Sequence, residues 1–155
     1  HRGNEGRTPA GDVQVMSAGR GILHEEYNLE AEDTTLFQIW IQPAEVNVEP
    51  RWEQRVFPKE GRSGLLVPLA SGRQGDEGAL TIHQDAAILG ATLKAGETVE
   101  HHLASGRRAY LVAATGALKV NGVEVGARDG VAVRDLDKVS LEAVEDSELL
   151  LADLP

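Results

Sequence analysis

The chain is 155 residues long, with 41% hydrophobic and 26% charged residues, enough for one ordinary domain or for parts of two small β-domains. Its formal net charge of -10 argues against direct binding to nucleic acid, which depends on clustered lysine and arginine. The absence of cysteine excludes disulfides, thiolate metal ligands and cysteine nucleophiles.

In chain order, short alternating or β-rich runs follow one another, separated by turn residues. The first is 12–16, and a glycine-punctuated corner at Gly19 and Gly21 leads from it into His24 and Glu26. On a strand these two side chains share a face, with Glu25 on the other. An imidazole and a carboxylate on one face make half of a metal site. The next run, 37–41, is followed by a change of composition between Pro43 and Pro50 that reads as a linker. Further strands are expected at 65–67, 80–83, 87–93 and 108–113, then at 117–120, 123–125, 130–133, 138–142 and 148–152. Asn121-Gly122 between two alternating runs is a strong hairpin signal, because both residues tolerate positive φ. No dozen residues show a 3.6-residue period, so the spacing predicts an all-β sandwich or barrel.

Other candidate chemistry is weaker. The adjacent His101 and His102 face opposite sides of a strand, so both cannot enter one barrel. His83 reads as structural or surface, Trp40 and Trp52 as packing residues, and Arg107-Arg108 as an exposed charge pair. Gly19-Arg20-Gly21 is too short for a phosphate loop, and no nucleophile elbow is present. The longest apolar stretches are too short to span a bilayer. The absence of cysteine does not fix the compartment, though a small secreted protein is more often disulfide-stapled; with no signal-peptide pattern visible at the start, a cytoplasmic location is expected. The chain does not begin with methionine, which suggests a fragment or a processed product.

The string Met16-Ser17-Ala18-Gly19, then Gly21-Ile22, His24, Glu26 and Asn28, resembles the second cupin motif of the pirin family. The likeness continues through Phe37-Gln38-Ile39-Trp40-Ile41, Arg51-Trp52-Glu53-Gln54-Arg55 and His83-Gln84-Asp85, to Leu150-Leu151-Ala152-Asp153-Leu154-Pro155. It implies a bicupin built of double-stranded β-helix, or jelly-roll, barrels. Residues 1–47 would form the C-terminal part of an N-terminal, metal-binding barrel, and 48–155 a complete but degenerate C-terminal cupin without metal. The family binds one divalent metal, usually iron, through three histidines and one glutamate. Nickel, copper, manganese or cobalt would suit the same ligands.

By resemblance, His24 and Glu26 are two of the four ligands. The other two belong to a His-x-His string upstream of this sequence, so the metal site is expected to be incomplete in this chain; His1 is not counted as a ligand. The family's usual serine between the two ligands is Glu25 here. The implied activity is that of a quercetin 2,3-dioxygenase, in which O2 opens a flavonol ring with loss of carbon monoxide. Glu26 would be the catalytic base for the flavonol 3-hydroxyl. The alternative is a non-enzymatic regulatory or redox-sensing pirin acting through protein partners. Neither reading needs a further organic cofactor, nucleic acid or a membrane.

Overall fold

Alternating runs become strands where a neighbouring run completes their hydrogen-bond ladder. In the computed structural model, which describes residues 3–155, twelve strands form: β1 (Val13–Ser17), β2 (Arg51–Arg55), β3 (Val67–Ser71), β4 (Leu80–Thr81), β5 (Ala87–Leu93), β6 (Thr98–His102), β7 (Arg108–Thr115), β8 (Leu118–Val120), β9 (Val123–Val125), β10 (Gly130–Val133), β11 (Lys138–Ala143) and β12 (Ser147–Leu154). The described helical structure is one 3-10 turn, Lys59–Arg62. No helix among these residues is long and apolar enough to cross a membrane.

The strands form three sheets, in the orders β1-β2, β10-β7-β12-β5-β3-β4 and β6-β11-β8-β9. All pairings are antiparallel except β3 with β4. The two larger sheets face each other around one core. It takes Leu111 from β7, Leu149 and Leu151 from β12, Leu89 and Leu93 from β5, Val139 and Leu141 from β11, and Leu118 from β8. Each such leucine contributes about 1.5–3 kcal/mol by leaving water. Asn121 and Gly122 adopt φ of 48° and 82° and join β8 to β9 in the expected tight turn.

Strand β5 is covered on both faces. Ala87, Leu89, Ala91 and Leu93 enter the barrel core, whereas Ile88 joins a second cluster with Ala70 and Leu80. Val13 and Val15 of β1, Ile41, Phe57, and Leu150 and Ala152 of β12 pack against that second cluster. The β1-β2 hairpin is thereby docked on the outside of the barrel. The expected boundary at 47/48 lies in the connection between these two paired strands.

Residues 21–43 contain no strand, contrary to the expectation at 37–41 and around His24 and Glu26. Among the described residues no ladder partner runs beside them, and an unpaired strand has no hydrogen bonds to hold it. Most of their apolar side chains stay outside: Leu23, Tyr27, Leu29, Leu36, Phe37 and Ile39 are all exposed, while Ile22 and Ile41 are half-buried. Trp40, expected as a packing residue, is 88% exposed. Trp52 does pack, half-buried on β2.

Candidate metal centre

Three residues beyond the corner at Gly21, where φ is 121°, His24 comes together with Glu26 without a strand to align them. His24 Nδ1 lies 3.9 Å from Glu26 Oε1, and both side chains are partly open to solvent. Glu26 Oε1 also accepts a hydrogen bond from Gln14 Nε2 of β1 at 2.9 Å. Gln14 in turn accepts one at Oε1 from Trp52 Nε1 of β2, at 3.1 Å. Glu25 is engaged elsewhere. Its Oε2 accepts the Tyr27 hydroxyl at 2.5 Å, and that bond holds the phenol's pKa above its ordinary value. Glu25 is thus held by Tyr27, apart from the His24–Glu26 contact.

One imidazole and one carboxylate suit a divalent first-row metal. Among the described residues no group of three or more His, Cys, Asp or Glu side chains is placed to hold a metal ion. The described residues therefore fit part of a ligand set and do not close it. His1 lies outside the described residues. Sequence reasoning picked out the pair but not Gln14 and Trp52, whose contribution comes from the β1-β2 register rather than from local spacing. The alternation of β1 was a usable signal, since it puts Gln14 on the face opposite Val13 and Val15, which pack against the second core cluster.

A second polar cluster lies at the end of the barrel. Asp153 of β12 is 1% exposed and sits at an inward position of the strand, in series with Leu149 and Leu151. Its Oδ2 accepts Arg73 Nη1 at 2.6 Å and lies 2.7 Å from His101 Nε2, while Oδ1 accepts Arg107 Nε at 2.5 Å. Burial by itself would raise the Asp153 pKa. The hydrogen bonds of His101 and Arg107, with the charges of Arg107 and Arg73, outweigh it and hold the carboxyl below its ordinary value. Arg107 is accordingly no exposed charge: it is largely buried and also reaches the Asp85 side chain and backbone carbonyl. The expectation for Arg107 failed because its partners are 22 and 46 positions away in sequence. His101 faces inward and His102 outward, as the alternation requires. His83 is half-buried, and its carbonyl accepts the Ala44 amide.

The described surface also holds a shallow cavity of about 270 Å³ on the β6-β11-β8 sheet, lined in part by Glu100, Lys119 and Glu142. It includes neither His24 nor Glu26.

Residues 69–154 match the quercetinase C-terminal cupin domain family, and residues 1–41 match the pirin family. Among curated proteins, the chain is 55% identical to a pirin-like protein of Caulobacter vibrioides over 97% of its own length and 65% of that protein's. It is 41% identical to the quercetin 2,3-dioxygenase of Escherichia coli K12, over 99% of this chain and 65% of that protein. Among solved structures, the bacterial pirin YhhW from Escherichia coli in complex with nickel(II) superposes with a TM-score of 0.87 at 39% identity. That alignment covers 99% of this chain and 65% of YhhW. The chain thus spans just under two thirds of the length of these relatives.

Proposed function

The chain belongs to the pirin family of cupin-fold proteins, and on that premise we propose that His24 and Glu26 are two ligands of the metal centre of a flavonol dioxygenase. The observation that carries this reading is the approach of the imidazole and the carboxylate to 3.9 Å, with a third side chain, Gln14, holding the carboxylate. The relative in complex with nickel(II) and the relative named quercetin 2,3-dioxygenase support a divalent metal and a flavonol such as quercetin. Iron is the expected native ion, with nickel, copper, manganese or cobalt accepted by the same donors. In this reading residues 1–47 belong to the metal-binding barrel and 48–155 to the metal-free one, in a cytoplasmic protein.

When bound, the metal supplies a Lewis-acid position at which the flavonol 3-hydroxyl becomes more acidic. The chain's own contribution is at Glu26. Its Oε1 is held by Gln14 and lies on the His24 side, where the metal would sit, and the second carboxylate oxygen, Oε2, is assigned to take the 3-hydroxyl proton. The overall conversion is flavonol plus O2 to a ring-opened ester plus carbon monoxide, which balances without another reductant.

The test uses protein of the relatives' full length, loaded with metal. Oxygen consumption and carbon monoxide release with quercetin are expected. H24A and E26A should lose metal and turnover together. Stoichiometric metal retained in either variant would refute the ligand assignment. Zero turnover with a filled site would instead favour a regulatory or redox-sensing pirin acting through protein partners.

A further inference from the structure

We propose that Gln14, oriented by Trp52, is the positioning residue for Glu26; this deepens the assignment of Glu26 as a ligand and rests on it. The argument begins with donor chemistry. An indole N–H can only donate and an ionised carboxylate can only accept. The two ends of a glutamine amide are not distinguished by shape, so their direction must come from their partners. Trp52 Nε1 approaches one end of the Gln14 amide at 3.1 Å, which makes that end the oxygen. The NH2 group is then aimed at Glu26 Oε1, 2.9 Å away. The direction of the relay is thus set at its tryptophan end and read out at the carboxylate.

Trp52 is itself fixed. Its ring lies against the backbone at Gly6, where an added Cβ would stand 2.9 Å from ring atoms Cζ2 and Cη2 and 2.6 Å from Gln54 Oε1. Gln54 Nε2 donates to the Arg7 carbonyl and holds this segment over the hairpin. Glu26 is in a segment without strand hydrogen bonds. The hydrogen bond from Gln14 therefore ties a strand of the docked hairpin to a carboxylate outside any ladder. A leucine at position 14 would leave Glu26 untied, and a glutamate there would set two carboxylates against each other.

The test has two independent readouts. The chain has two tryptophans, so an amide-correlation spectrum shows two indole resonances. Trp40, exposed and donating to Gln38, serves as the internal reference. E26A should shift the Trp52 indole resonance in the parent protein and leave it unmoved in a Q14L background. An equal shift in both backgrounds, or none in either, overturns the relay. Nickel(II) titration, done on protein of the relatives' full length, is the second readout, with Q14L expected to weaken binding roughly 10- to 100-fold, in the range seen when an outer-shell partner of a metal ligand is removed. W52F, which keeps an aromatic ring and loses the N–H donor, should weaken it less. Unchanged nickel affinity in Q14L beside loss in E26A overturns the positioning role while the ligand assignment stands. Binding kept in both H24A and E26A, or absent in that full-length protein, refutes the ligand assignment, and the indole coupling still decides the relay. If Q14L does not fold, Q14N replaces it: its amide is one methylene too short to span both partners, and the same outcomes apply.

Discussion

The barrel formed by β3 to β12 and the segment at residues 21–43 have the same kind of sequence, short apolar runs broken by glycine and acidic residues, yet they end in opposite states. In the barrel the runs are paired on neighbouring strands and their leucines are buried. At residues 21–43 the runs are unpaired and their leucines, phenylalanine and tryptophan face outward. Alternation therefore specifies which face a side chain takes once a ladder exists, but it does not supply the ladder. The division also separates roles, because the buried polar network at Asp153 ties the barrel together while the His24–Glu26 pair lies in the unpaired segment.

The largest expected effect breaks the better-packed side. D153A would leave Arg73, Arg107 and His101 around an empty position, with a destabilisation of about 3–5 kcal/mol, measurable by chemical denaturation. The same change should leave metal binding at His24 and Glu26 untouched if the two regions are energetically separate.

A second prediction concerns acid. The Asp153 pKa is depressed in the folded protein, so its stabilising contribution is fully present above the ordinary carboxylate value of about 4 and lost as pH falls through the native value. Melting temperature should drop across that window, and D153N should flatten the slope. An unchanged slope would mean that other carboxylates with lowered values, such as Asp76, dominate.

The smallest effect tests the open side. W40S should change stability by no more than about 0.5 kcal/mol, because the ring is 88% exposed and buries little. A loss of several kcal/mol on thermal or chemical unfolding would show that the segment is packed in solution and would remove the contrast between the two regions.

Much of the barrel was legible in the sequence. The Asn121-Gly122 turn, its flanking strands and the long runs of β5, β7 and β12 are all local patterns, and local patterns survive in a linear text. Asp153 was not singled out, because the last expected strand stopped at 152, one residue short of it. What it meets was not legible either, since Arg73 and Arg107 are 80 and 46 residues distant. In the candidate site the His24–Glu26 spacing and the family string were readable. Gln14 and Trp52 were not, because a register 38 residues wide brings them together.

The double covering of β5 has a practical consequence for anyone altering this molecule. Odd-numbered positions from Ala87 to Leu93 answer to the barrel, and Ile88 answers to the hairpin that carries Gln14 and Trp52. A conservative change at Ile88, such as valine, offers a way to retune how the hairpin is seated, and with it the aim of Glu26, from a site that touches neither ligand.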